Sequence, residues 1–160
     1  MISAATALAA CAPTGPTEQE LAFQNTQATL GTETFFNTCV ATAPTYRGIE
    51  SGATRSALTK RGTIWASNGN LISLSVSPAE RRCQVLVVGP TNEKLTATIF
   101  QKGLQSSPTL PSLGVMTRRN AQTGETQQFA AYELTAPRGK LAVGVLPVDE
   151  FVNLIIAIPQ

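Results

Sequence analysis

Two hydrophobic periods divide the chain. Over roughly the first sixty residues, apolar positions recur at helical spacing; from Trp65 onward they alternate, as in half-buried strands. Thr17-Glu18-Gln19-Glu20 has the spacing of a capping box, with Thr17 as N-cap and Glu20 reaching back to it. Leu21 and Ala22 follow, which predicts a first helix to about Leu30 with Gly31 as its stop. Thr32 or Thr34 would cap a second helix, on which Phe35, Phe36, Cys39 and Val40 form an apolar stripe that Pro44 ends. A third helical piece is expected over Ser51 to Lys60, with Ala53, Ala57 and Leu58 on one face and Gly62 as terminator.

Asn68-Gly69 is the strongest hairpin signal, and a two-residue turn there would set Trp65 opposite Ile72. Ile72, Leu74 and Val76 alternate with Ser73, Ser75 and Ser77, so the apolar set faces the core and the serines face solvent. Cys83 to Val88 reads as a buried strand closed by Gly89-Pro90. Thr91 to Lys102 carries both helical spacing (Leu95, Ile99) and β-branched residues; it is read as a helix stopped by Gly103. Leu113 to Arg118 and Gln127 to Leu134 form a predicted hairpin around Asn120 to Gly124, and Lys140 to Leu146 and Phe151 to Ile158 complete the strands. Helices first and strands later predict an α+β fold, with the helices packed on one face of a mainly antiparallel sheet of about five to seven strands.

Composition sets bounds on this picture. The chain has 160 residues, 42% hydrophobic and 14% charged. That is enough for one core and too apolar for a disordered chain. The net charge of +2 and the lack of a basic stripe interleaved with aromatics give no sign of nucleic-acid binding. No apolar run reaches the ~18 to 20 residues of a membrane span.

The N-terminus carries an address. Leu8-Ala9-Ala10-Cys11 follows an uncharged apolar stretch and precedes the polar linker of residues 11–17. This looks like a bacterial lipobox, in which residues 1–10 are removed as a signal peptide and Cys11 is acylated. By resemblance to such lipoproteins, Cys11 would carry three acyl chains and anchor the domain of residues 18–160 to a bilayer. Two features depart from the pattern: no Lys or Arg precedes Ile2, and the apolar stretch is short.

Cysteine arithmetic fits this address. There are three cysteines, and acylation of Cys11 leaves Cys39 and Cys83. In an oxidising periplasm these two would form a disulfide. In a reducing compartment they would be two small buried thiols.

Candidate chemistry is sparse. The chain has no histidine, which removes the commonest general base and metal ligand. Asp149 is the only aspartate, and Asp149-Glu150 belongs in the turn between the last two strands. No metal site, cofactor or catalytic residue is read from these positions. The remaining candidates are three cationic doublets, Lys60-Arg61, Arg81-Arg82 and Arg118-Arg119. If they converge they would face anionic lipid headgroups or phosphates. If they do not, they are solvated charges at element ends, and Lys60-Arg61 suits a helix C-terminus.

Lipobox, polar linker, a Phe35-Phe36-Asn37-Thr38-Cys39 helix, Lys60-Arg61-Gly62 and a strand opening on Cys83 together resemble the small Gram-negative envelope lipoproteins of uncharacterised function. The chain also has a general likeness, in size, anchor and cysteine pair, to periplasmic inhibitor lipoproteins that block lysozymes. Ala12 after the cysteine resembles the outer-membrane-destined members of this class. The resemblance implies an outer-membrane protein on the periplasmic face, acting by binding or structural support. Its partners would be the bilayer and another envelope protein or anionic headgroups. The rival expectation is a hydrolase with an unrecognised site, which would show carboxylates converging in a polar cleft around Glu133 or Asp149.

Overall fold

The structure, a computed structural model, describes residues 15–120 and 123–160. The predicted signal segment and Cys11 lie outside the described residues, as do the first part of the linker and residues 121–122 of the predicted Asn120–Gly124 turn.

The capping box is present. The Glu20 amide donates to Thr17 Oγ1 at 3.2 Å, and the Thr17 amide donates to Glu20 Oε2 at 2.7 Å. These bonds favour the ionised carboxylate and hold the Glu20 pKa below its ordinary value. Helix α1 then runs Glu18–Phe35 and continues without a break into one wide π-helical turn, Phe36–Val40. The two helices expected on either side of Gly31 are therefore one. A Cβ on Gly31 would lie 2.5 Å from Val87 Cγ2, so this glycine lets the helix lie close against the strand that carries Val87.

Helix α2 is shorter than expected, Ile49–Arg55. Ala57, at φ 55°, takes the left-handed conformation, and the Leu58 amide closes the helix end by donating to the Ala53 carbonyl at 2.9 Å. Lys60 and Arg61 consequently lie in a strand, β1 (Thr59–Arg61), and do not sit at a helix C-terminus. Gly62, at φ 63°, makes the tight turn to β2 (Ile64–Ala66), where Arg61 pairs with Ile64. The Asn68-Gly69 turn is wider than a two-residue hairpin: residues 68–70 form a 3₁₀ turn, and Trp65 pairs with Leu74 in β3 (Ile72–Ser77), not with Ile72. A slip of two residues keeps every side chain on its face, so the alternation in β3 survives.

Strand β4 (Arg82–Val88) leads to helix α3, Asn92–Ser106, which passes through Gly103 instead of stopping there. Strands β5 (Ser112–Arg119), β6 (Thr126–Ala136), β7 (Gly139–Asp149) and β8 (Val152–Pro159) follow. Among the described residues the sheet has eight strands in the order β1-β2-β3-β4-β8-β7-β6-β5, with every neighbouring pair antiparallel. The expected α+β architecture is observed; the count exceeds five to seven because the region read as a helix end supplies a strand.

One face of the sheet packs against the helices. Phe35, Ala53, Leu74, Val85, Leu95, Leu141 and Ile155 belong to this core. Cys39, on the π-helical turn, and Cys83, near the start of β4, are both buried and joined by a disulfide across 5.5 Å between Cα atoms. The opposite face, which the β3 serines predict to be wet at that strand, holds a second core of Phe129, Ala131, Leu146, Leu154 and Ile156, with Leu86 and Met116 against it. The β5–β6 hairpin curls over this face and shields it. Gly144 permits the curl, since a Cβ there would lie 2.2 Å from the Phe129 ring.

Candidate binding site

Helix α3 stands over β6 and β7 and leaves a pocket beneath it. Thr91 caps the helix, accepting from the Lys94 amide at 3.3 Å. A buried amide network fixes the same end: Asn92 Nδ2 donates to Asn153 Oδ1 at 3.1 Å, and Asn153 Nδ2 donates to the Pro90 carbonyl at 2.8 Å. Asn153 is fully buried, so this pairing is what makes a polar residue tolerable near the start of β8. Leu95, Ile99 and Gly103, spaced by single helical turns, point α3 at the sheet. Gly103 brings the helix close, its virtual Cβ lying 3.0 Å from Leu110 and 3.4 Å from Leu134.

The pocket has a volume of about 280 Å³. Phe36, Ile99, Leu134, Val143 and Val145 supply apolar wall, and Thr96, Asn92, Gln128 and Tyr132 supply a few polar groups. Phe100 and Tyr132 meet edge to face with ring centroids 4.3 Å apart and form one wall. An apolar cavity with a few polar groups at its border is the form of most small-ligand sites. Sequence reasoning missed these residues. The sequence has the helical stripe Leu95/Ile99 and the two aromatics, but the pairing of Phe100 with Tyr132 depends on tertiary packing.

The cationic doublets do not form one patch. Lys60 Nζ lies 5.1 Å from the centre of the Trp65 ring, and Arg61 donates to Asn70 Oδ1 at 2.9 Å. Both are on the β1 edge, at the other end of the strand order from Arg118 and Arg119 on β5. Arg81, at φ 48°, is near enough to Tyr46 to oppose the effect of burial on its phenol, whose pKa is nonetheless pushed up to about 12. Tyr46 donates to the Ala157 carbonyl at 3.3 Å.

Arg82, Arg118 and Arg119 do come together. They line one cleft with Glu80, which is ion-paired to Arg82. Burial and the neighbouring Arg82 cation push the Arg118 pKa down, while Glu80 opposes them.

The carboxylates do not share a cleft. Glu133 pairs with Lys140 at 2.6 Å, and exposed Asp149 accepts from the Glu150 amide at 2.8 Å at the β7–β8 turn, as its position in the sequence predicts. Among the described residues no group of His, Cys, Asp or Glu is placed to hold a metal ion, and no helix is long and apolar enough to cross a membrane. No protein-family model matches the chain, and no curated protein matches it in sequence.

Proposed function

We propose that this protein is a binding module of the cell envelope. It is tethered to the periplasmic face of the outer membrane through acylated Cys11, and it holds a small apolar or aromatic ligand between α3 and strands β6 and β7. The pocket carries this reading. Its volume, about 280 Å³, is just below the usual ligand-site range and suits one ring system or a short chain. Its apolar wall would contribute by removing ligand surface from water, and Thr96 and Tyr132 would orient the ligand. The disulfide is compatible with an oxidising compartment and supports the export half of the reading.

The two halves are tested separately. The mass of the mature protein from its native host reports the anchor: residues 1–10 absent and acyl chains on Cys11. An uncleaved, unacylated chain overturns the envelope assignment. The pocket is tested with naphthalene, an uncharged apolar fluorophore of one ring system. Saturable one-to-one binding is expected, reduced at least tenfold in Thr96→Phe, whose ring would enter the pocket while the half-exposed position keeps the helix intact. Equal binding by the variant and the wild type overturns the pocket assignment.

A further inference from the structure

The cleft on the far side of the sheet is built differently from the pocket. Arg82 opens β4 and Arg118 is near the end of β5, with β8, β7 and β6 between those strands in the sheet order. Only the curl of the β5–β6 hairpin brings the two guanidinium groups together. Like charges held side by side in a half-buried place repel, and taking them out of water adds to the cost. The single carboxylate of the cleft, Glu80, is committed to Arg82. The Nε atoms of Arg82 and Arg118 are both buried, and neither finds a hydrogen-bond acceptor among the described residues. Arg119 spends its own Nε on the Gly124 carbonyl, at 3.2 Å. The cleft therefore has surplus positive charge and a volume of about 290 Å³, and among the described residues two of the arginines that line it have an Nε without an acceptor. Its remaining wall is apolar, from Phe129, Ile156 and Ile158.

We propose that this cleft binds the phosphate group of an amphiphile. Arg82 and Arg118 grip the phosphate oxygens, and the apolar chain next to the phosphate lies on Ile156 and Ile158. Arg suits this task because its planar fork matches phosphate geometry and stays charged. Thr117, on the same cleft wall, offers a hydroxyl donor. The site is separate from the pocket under α3 and does not depend on the anchor.

The test is calorimetric titration of the full chain with Cys11→Ser, which cannot be acylated, with inorganic phosphate and with decyl phosphate, together with co-sedimentation on phosphatidylglycerol and phosphatidylcholine vesicles. Decyl phosphate is expected to bind at least tenfold more tightly than inorganic phosphate, because only it covers the apolar wall. Arg118→Gln should weaken decyl phosphate binding about tenfold or more, the loss expected for one charge-assisted contact. Glu80→Gln should strengthen it by freeing Arg82, and a folding defect cannot produce that change. Arg61→Gln, at the distant edge, serves as the unchanged control. Sedimentation with phosphatidylglycerol but not phosphatidylcholine vesicles makes a bilayer the source of the phosphate; decyl phosphate binding without vesicle binding makes it a single dispersed molecule. Absence of decyl phosphate binding at millimolar concentration overturns the proposal. So does binding that Arg118→Gln leaves unaltered, or decyl phosphate binding no tighter than inorganic phosphate.

Discussion

Removing the Cys39–Cys83 bridge should weaken the fold by an amount that chain statistics set. The cysteines are 44 residues apart in sequence. Cross-linking a loop of that length removes about 13 cal/mol/K of entropy from the unfolded chain, or about 4 kcal/mol at room temperature. The native state gives no reason to subtract much from this. Both residues are fully buried, one on the helical layer and one on β4, in parts of the core that pack together with or without the bond. The perturbation is Cys39→Ala with Cys83→Ala in the chain from Ala12 onward, which excludes Cys11. With a urea dependence of about 2 kcal/mol per molar, a loss of 4 kcal/mol moves the unfolding midpoint down by roughly 2 M. The parent protein should lose about the same amount on adding reductant, and the double variant should not respond to reductant at all. That second comparison isolates the bond from the packing lost with the two sulfurs. A midpoint that moves by less than about 0.5 M in both arms would falsify the reasoning, because the unfolded chain would then be gaining little freedom from the broken link.

Two further outcomes follow from close contacts and burial. Gly31→Ala should destabilise although alanine is the better helix former by about 1 kcal/mol, since overpacking against Val87 costs about 1 to 3 kcal/mol; the expected fall in Tm is about 2 to 4 °C, and a rise would mean that Val87 moves aside freely. Tyr46 keeps its proton to about pH 12 in the folded state but loses it near pH 10 when unfolded, so its contribution is complete below pH 10 and is lost as pH rises through 12; Tyr46→Phe should cost about 1 kcal/mol at neutral pH and flatten the alkaline loss measured by chemical denaturation, and an unchanged slope refutes the assignment.

The elements governed by local rules were legible in the sequence. Thr17 and Glu20 form their box, the Ile72/Leu74/Val76 alternation places β3 correctly, and Asp149-Glu150 makes a turn. The misreadings occur where a glycine serves tertiary packing. Gly31 and Gly103 look like helix stops, yet each lets a helix approach its neighbour, at Val87 and Leu110 respectively. Conversely, a real helix end is made by Ala57 in a left-handed conformation that alanine rarely adopts, so no local signal marks it. The second core was hidden for a related reason. Phe129 alternates correctly in β6, but whether its face is wet or dry depends on how far the β5–β6 hairpin curls. Of the candidate site residues, Cys39 and Cys83 are joined. Arg82, Arg118 and Arg119 share a cleft, and Lys60 and Arg61 are remote from it.

Among the described residues the sheet does not close into a barrel, so it ends in two strands, β1 and β5, whose outer backbone groups have no partner strand there. Such edges invite a second copy to pair with them unless something prevents it. At the β1 edge, brevity and charge are enough: the strand is Thr59–Arg61, with Lys60 and Arg61 as two of its three residues. The β5 edge is longer and carries Val115, which is 67% exposed, so it is the more exposed to strand addition. A bulge between Ser112 and Gly114 bends it at one end, and Arg118 and Arg119 charge it at the other, leaving only a short straight stretch for another strand to extend. Arg118 and Arg119 therefore also help to keep copies of this protein from stacking edge to edge.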